Sequence, residues 1–127
     1  MGRYEDWKDK TRELQKVFRK NRQPDPTLEA VAEVAPFFGE VARVTLMGAF
    51  YANPTVDLKT RSLCTVAALT VLVRPPLLKG WIRNALNAGC TKEEIIEIIS
   101  QMAFYGGVPA AVMAFNTAKE AFAEHGV

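Results

Sequence analysis

The stretch RNALNAGCTKEEIIEII, from Arg83 to Ile99, contains the end of one helix and the start of the next. Gly89 is typical of the residue that follows a helix C-terminus, because glycine adopts positive φ without strain. Thr91 and Glu94 have the spacing of a capping box, in which each side chain accepts a hydrogen bond from the other residue's backbone N–H. Isoleucines then recur at helical spacing. The stretch therefore predicts two helices joined by a short turn.

Helical signals extend through the rest of the chain. Apolar residues at three- and four-residue steps predict an amphipathic helix over about residues 3–20, and Thr27 is predicted to cap a short helix that reaches about residue 35. A proline or a capping residue opens each later helix; these are predicted over about 36–53, 58–73, 75–89, 91–106 and from 109 onward. No segment alternates with a period of two. The sequence therefore predicts an all-α fold of six or seven helices in a single domain, residues 1–127.

Composition excludes several classes of protein. The chain has 127 residues, 49% of them hydrophobic, and a formal net charge of +2, which does not favour a nucleic-acid partner. The longest apolar run, Leu63 to Val73, is shorter than the ~20 residues of a membrane span and predicts a helix buried on most sides. No secretory signal is recognised at the N-terminus. Cys64, expected to be buried, and Cys90 have neither CxxC nor metal-ligand spacing, which favours a reduced, cytoplasmic protein without a metal site.

Three blocks that follow one another in the chain carry a family resemblance: DLKTRSLCTVAALTVL (57–72), RNALNAGCTKEEIIEII (83–99) and MAFYGGVPAAVMAFNTAKEAF (102–122). Through these blocks, residues 57–124 resemble the carboxymuconolactone decarboxylase family, which shares its fold with the alkylhydroperoxidase D-like proteins. The resemblance implies an all-α domain whose helices interlock in a homo-oligomer, of the trimer or hexamer-of-dimers type. It also implies decarboxylation of a small molecule in aromatic-compound metabolism, with no cofactor.

Two positions depart from the family pattern. The block KTRSL usually reads KTREL in the family, with a glutamate where this chain has Ser62. The block WIRNALNAG usually begins with a histidine where this chain has Trp81. The two positions lie 19 residues apart (81 − 62), as in the family, so the alignment is not shifted. The peroxidase branch of the fold has a CxxC between them, and this chain has Arg74 and Leu77 there instead.

A decarboxylase site must bind an anion, stabilise the developing enolate and deliver a proton. The residues that we consider for this site are Arg61, Ser62, Trp81, Arg83 and Tyr105. We expect Arg61 or Arg83 to bind the anion, because an arginine can donate two parallel hydrogen bonds to a carboxylate. Ser62 alone is a poor acid or base, whereas Trp81 offers one N–H donor and a broad apolar face that can shape a pocket. Tyr105 or an ordered water would supply the proton.

Each of these residues also has a structural interpretation. Arg83 can form a structural or interfacial ion pair, and Arg61 can pair with Glu94 or Glu97. Trp81 can be a core or interface residue. The serine hydroxyl can donate back to the preceding turn of its own helix. The sequence leaves these alternatives open.

Three hypotheses for the function follow. The favoured one is a cofactor-independent lyase, which decarboxylates or transfers a proton on a small cyclic or enolisable carbonyl or carboxylated compound. The second is a non-catalytic oligomeric binding or scaffold protein, because both proton-transfer residues of the family are replaced. The least favoured is a thiol peroxidase, since Cys64 and Cys90 lie on different predicted elements. A histidine-dependent triad is not expected, because His125 is predicted to be a solvated residue near the end of the chain.

Overall fold

The computed structural model of the chain describes residues 2–20 and 25–127. These residues form seven α-helices and no strand: α1 (Arg3–Phe18), α2 (Pro26–Val34), α3 (Pro36–Val44), α4 (Leu58–Val71), α5 (Pro75–Asn87), α6 (Lys92–Gly106) and α7 (Val108–His125). A π-helical segment, Thr45–Tyr51, continues α3. The all-α prediction is confirmed. Within the described ranges, no helix combines the length and the apolar character that crossing a membrane requires.

The predicted start of α2 was wrong by two residues. The helix begins at Pro26, and its cap is Asp25, whose side chain accepts a hydrogen bond from the Thr27 N–H at 3.0 Å. Proline at the first helical position loses no hydrogen bond, because that N–H has no partner inside a helix. The sequence also predicts that Pro24 and Pro26 break the chain before this helix, and Pro24 lies outside the described residues.

The chain divides into two compact units, Met1–Leu58 and Lys59–Val127. In the first unit, α1 packs against α3 and the π-helical segment. The Thr11 hydroxyl donates to the Trp7 carbonyl at 2.7 Å, and the rings of Phe18 and Tyr51 meet edge to face with centroids 6.1 Å apart. Gly48 lies where the π-helical segment passes the backbone of Trp7, so closely that a Cβ there would be 2.2 Å from the Trp7 carbonyl oxygen. Only glycine permits this approach.

In the second unit, α5 and α6 both pack against α7. The face of α7 that they cover is built mainly of alanines, which are Ala110, Ala111, Ala114, Ala118 and Ala121. Ile82 of α5 and Ile95 and Ile99 of α6 are fully buried in the same core. Short side chains on one partner and branched ones on the others let the helix axes come close without leaving voids.

Helix α4 contributes one face to this core. Ser62, Val66 and Thr70 are buried at four-residue intervals, and the Thr70 hydroxyl donates to the Val66 carbonyl at 2.8 Å. Cys64 lies on the opposite side and is exposed. The expectations of a buried Cys64 and of a helix buried on most sides were therefore wrong, because within this chain the apolar run is covered along only one face.

The predicted capping box at the start of α6 is confirmed. The Thr91 hydroxyl accepts from the Glu94 N–H at 3.0 Å, and the Glu94 carboxylate accepts from the Thr91 N–H at 2.8 Å. The Lys59 ammonium lies 3.5 Å from the same carboxylate. The backbone hydrogen bond from Thr91, followed by the charge of Lys59, lowers the pKa of Glu94. Gly89 has a φ of 103°, as a glycine just past a helix end should.

We predict that Gly48→Ala lowers the free energy of unfolding by about 1–3 kcal/mol, the usual cost of overpacking a tight contact. The new Cβ meets backbone atoms of Trp7, which cannot rotate away. Gly39→Ala is the matched control, because its Cβ would meet only the Val31 side chain at 3.3 Å and alanine favours a helix. Urea titration of both variants measures the difference. Equal effects of the two substitutions would contradict the assigned close contact.

The capping box also predicts a pH dependence of stability. Because the folded chain lowers the pKa of Glu94, its charge stabilises the fold above the unfolded-state pKa, and this contribution is lost as the pH falls through the folded value. Glu94→Gln retains an acceptor for the Thr91 N–H but removes the charge. We expect the variant to be less stable than the parent at pH 7 and the difference to shrink towards pH 3. Glu97→Gln, on the same helix, controls for the loss of one carboxylate, and a Glu94→Gln deficit that persists unchanged at pH 3 would contradict the assignment.

Candidate functional site

The five residues considered for the site all lie in the second unit, on three of its helices. Arg61 and Ser62 are on α4, Trp81 and Arg83 are on α5, and Tyr105 is in the last turn of α6. The five residues differ in burial and in the groups that they contact, so they also differ in the chemical roles that they can take.

Ser62 is fully buried, with 0% of its surface exposed, on the same face of α4 as Val66. It occupies the position where the family resemblance places a glutamate. A neutral hydroxyl can be buried here at little cost, whereas a carboxylate would need a cation or several hydrogen-bond donors. Arg61, the neighbouring residue, is only partly buried and therefore reaches the edge of the unit. Its carbonyl accepts a hydrogen bond from the Thr65 hydroxyl at 3.2 Å.

Trp81 is partly buried at the edge of the core-facing side of α5. Leu78, Ile82 and Ala85 form the buried stripe of that helix, and Trp81 lies one turn after the first of them and one turn before the last. Part of the tryptophan therefore contacts the core while another part remains accessible. This placement suits a pocket wall better than it suits a wholly enclosed core residue.

Arg83 faces α7 in an ion pair. Its side chain is only 12% exposed, and its guanidinium lies 3.6 Å from the Glu124 carboxylate. Lys79, one turn earlier on α5, has its ammonium 2.7 Å from the same carboxylate and 3.5 Å from that of Glu120. The hydrogen bond to Glu124 and the charges of both glutamates raise the pKa of Lys79. The structural interpretation of Arg83 thus has direct geometric support.

One turn beyond Arg83, the Asn87 side-chain oxygen lies 3.0 Å from the His125 ring nitrogen Nε2. His125 is partly buried, so the expectation of a solvated residue was wrong. Its Nδ1 is buried and has no hydrogen-bond partner among the described residues. Together with the ion pairs, this contact forms the α5–α7 polar seam, which consists of Lys79, Arg83, Asn87, Glu120, Glu124 and His125. The four-residue spacing of Lys79, Arg83 and Asn87 on α5, and of Glu120 and Glu124 on α7, was the available sequence signal.

Tyr105 is 75% exposed, and the preceding Phe104 is 89% exposed. The phenol therefore has no enclosing wall within its own unit. A proton donor in a decarboxylase works best where water is excluded, because electrostatic interactions strengthen there. Tyr105 would gain such surroundings only by contact with another surface.

The segment that corresponds to the CxxC of the peroxidase branch, residues 74–77, consists of the N-cap residue Arg74 and the first residues of α5. Before it, Val73 adopts a φ of 55°, and the Arg74 guanidinium donates to the carbonyls of Leu72 and Val73. A cation at this place satisfies carbonyls that follow the end of α4. Arg74 thus lies in the turn between α4 and α5, where the peroxidase branch has a thiol.

The two cysteines are free. Cys90 is buried, and its thiol lies 3.6 Å from the Lys59 carbonyl as a donor, whereas Cys64 is exposed on α4. Across residues 2–20 and 25–127, no three His, Cys, Asp or Glu side chains come together in a way that could hold a metal ion.

We predict that Arg83 and Glu124 are energetically coupled. Arg83→Gln and Glu124→Gln should each lower the free energy of unfolding by about 1 kcal/mol, and the double variant should lose less than the sum, because either single change already breaks the pair. Arg43→Gln, an exposed arginine of the first unit, is the control. Chemical denaturation of the parent, the two single variants and the double variant gives a double-mutant cycle. Strictly additive losses of unfolding free energy would show that the ion pair contributes nothing to stability.

The chain is similar to a known protein family and to curated proteins. The model of the carboxymuconolactone decarboxylase family matches residues 36–120, so the match begins in α3, earlier than the blocks in the sequence indicated. A 4-carboxymuconolactone decarboxylase of Acinetobacter baylyi is 36% identical over 80 residues, which are 63% of this chain and 60% of that protein. A Paracoccus denitrificans protein, named an uncharacterized 15.0 kDa protein in the nqo9-nqo10 intergenic region, is 45% identical over 71 residues, 54% of this chain and 53% of its own.

The chain thus spans between about half and three fifths of the length of these curated relatives. The family match is broader, because it covers well over half of the chain and includes α4, α5 and α6 with all five residues considered for the site. The chain belongs to the carboxymuconolactone decarboxylase family.

Proposed function

We propose that this chain is a cofactor-independent lyase that acts on a small cyclic or enolisable carbonyl compound carrying a carboxylate. The observation that carries the proposal is that the partly buried Arg61 directly precedes the fully buried, neutral Ser62 on α4. A cation is thus retained where the family resemblance places the site, although the acid–base pair is replaced. The name of the Acinetobacter baylyi relative, 4-carboxymuconolactone decarboxylase, supports the same reaction class.

The reaction would require the following steps. The bond between the carboxylate carbon and the neighbouring carbon breaks, carbon dioxide leaves, and the electron pair moves onto the adjacent carbonyl oxygen to give an enolate. A proton then adds to the carbon. Arg61 would hold the carboxylate and then the enolate oxygen through N–H donors, which stabilise negative charge most strongly where water is scarce. Trp81 would form an apolar wall that favours loss of the charged carboxylate as neutral carbon dioxide.

Arg61 is a better candidate for anion binding than Arg83. The Arg83 guanidinium already faces Glu124, and its side chain is nearly buried. An incoming carboxylate would have to displace that glutamate and leave it without its partner, which is costly at a mostly buried position. We therefore assign Arg83 a positioning role, in which it fixes α5 on α7 and so orients Trp81.

Tyr105 enters the proposal through oligomerisation. Phe104, Val108 and Val112 form an exposed apolar stripe beside the tyrosine, and such stripes are typical of protein interfaces. We propose that a second copy of the chain covers this stripe in a homo-oligomer, as the family resemblance implies. The cover would shield the Tyr105 phenol, which then supplies the proton directly or through a water. The free cysteines fit a reducing compartment, so we propose a cytoplasmic protein.

A non-catalytic binding protein is the second candidate. It is favoured by the simultaneous replacement of both family proton-transfer groups by Ser62 and Trp81. Neither side chain titrates near neutral pH, so the site as it stands lacks the usual acid and base. A site that has lost catalysis but still binds a carboxylated ring would retain the same arginine and tryptophan.

We predict that the chain releases carbon dioxide from 4-carboxymuconolactone or from a member of a panel of carboxylated enolisable rings. Arg61→Gln should lower kcat/KM at least about 100-fold, the usual loss when one stabilising donor is removed. Arg43→Gln removes an exposed arginine from the first unit and should leave the rate unchanged. The assay measures carbon dioxide directly. Absence of turnover on every compound by the unmodified chain would contradict the enzymatic proposal.

A second pair of variants separates the two candidates. Ser62→Glu alone should lower the free energy of unfolding by about 3 kcal/mol, because it places a carboxylate at a fully buried position. The double variant Ser62→Glu/Trp81→His should lose less unfolding free energy, because Trp81→His removes ring volume and supplies a titratable partner. An active parent would exclude the binding-protein candidate. An inactive parent that gains decarboxylase activity in the double variant would show that the site has been retired.

A further inference from the structure

We propose that the second unit has a separate binding site for a small amphiphilic carboxylate, in a groove between α6 and α7. This α6–α7 groove lies at the start of α6 and along the last turns of α7, and its volume is about 430 Å³. That size falls in the range of small-molecule sites in proteins. The residues that line it and that the following steps use are Lys92, Ile96, Phe115, Lys119, Phe122 and Val127.

The floor of the groove is apolar and belongs to the core of the unit. Phe122 and Ala118 are buried in the core of the unit, whereas Phe115 and Val127 form partly exposed walls. The Val127 N–H donates to the Phe122 carbonyl at 3.0 Å, and Gly126 adopts a φ of 84°. This is a helix-ending arrangement that fixes the position of the residue after the glycine. The apolar walls are therefore in place before any ligand arrives.

Two lysines line this apolar groove. The Lys92 ammonium lies 5.3 Å from the centroid of the Phe122 ring, and Lys119 is on α7 between the two phenylalanines. Among the described residues, neither lysine has a carboxylate within 4.0 Å, and no acidic residue lines the groove. Two lysines that form no ion pair within 4.0 Å, beside an apolar floor, are complementary to an anion with an apolar body.

In contrast to Lys92 and Lys119, two other lysines of the same unit form ion pairs with carboxylates. Lys59 lies against Glu94, and Lys79 lies against Glu120 and Glu124. Glu94, one of the two acidic residues in the first turn of α6, is thus already held by Thr91 and Lys59. Lys92 is also the first residue of α6, where the positive end of the helix dipole favours an anion further.

The ligand class follows from these dimensions. A volume of about 430 Å³ accommodates one or two fused rings or a short alkyl chain, and the lysines select a carboxylate over a neutral compound.

The stripe proposed for the homo-oligomer, with Phe104, Val108 and Val112, lies at the turn between α6 and α7, at the opposite end of this helix pair. The groove and the oligomer stripe are thus different surfaces, and this site does not depend on the proposed reaction.

The test uses 2-naphthoate as the probe and isothermal titration calorimetry on the full chain. We expect saturable binding that weakens at least tenfold in Lys92→Gln/Lys119→Gln. The charge-matched control, Lys10→Gln/Lys16→Gln on α1, should bind as the parent does. Ala123→Trp, which adds a ring at an exposed position of the groove wall, should abolish binding without burying a new group. The neutral analogue 2-naphthalenemethanol should bind more weakly and equally to the parent and the lysine variant.

Three results would overturn the proposal. The first is no binding of 2-naphthoate to the parent. The second is equal affinity for the parent, the groove lysine variant and Ala123→Trp, which would place the probe elsewhere. The third is a change in molecular mass by light scattering in the groove variants together with unchanged naphthoate affinity, which would show that a second copy of the chain occupies the groove.

Discussion

The close approach of α5 and α6 to the alanine-lined face of α7 is the constraint on which the second unit depends. Alanine side chains at Ala111, Ala114 and Ala118 leave space that the branched residues of the neighbouring helices fill. A larger residue at any of these positions would separate the helices and open voids in the core. The same contact brings the α5–α7 polar seam together, because Lys79 and Arg83 reach Glu124 only when the two backbones lie close. The same placement of α5 on α7 therefore fills the core and forms the ion pairs of the polar seam.

This geometry explains how the site residues come to have different characters. α5 uses one face for the buried stripe, another for the polar seam, and the edge between core and solvent for Trp81. Arg83, two residues further along the helix, is directed to α7. An arginine on α5 is thus committed to structure, whereas Arg61 on α4 lies next to a buried neutral residue at the edge of the unit. Arg61 and Arg83 both belong to family sequence blocks, but they are not equivalent in their surroundings.

The sequence predicted most of the fold, because its signals were local. The capping box at Thr91 and the glycine at Gly89 define their turn through contacts within a few residues. The wrong expectations concerned tertiary surroundings. Cys64 was expected to be buried because its neighbours are apolar, but the direction of a side chain depends on which helix face meets the core. His125 was expected in solvent because of its position near the chain end, although the C-terminal turn of α7 packs against Asn87.

The family resemblance predicted which positions to consider for the site, and the structure gives the surroundings of each one. The family pattern identified positions 62 and 81, and the structure shows a fully buried Ser62 and a partly buried Trp81. A glutamate at the fully buried position 62 would need a cation or several hydrogen-bond donors around it, whereas a serine is neutral. A tryptophan at position 81 carries no charge. A small neutral residue such as Ser62 is therefore tolerated at the buried position. In the proposed function, the charge that binds the anion comes from Arg61, the residue that precedes Ser62 in the chain.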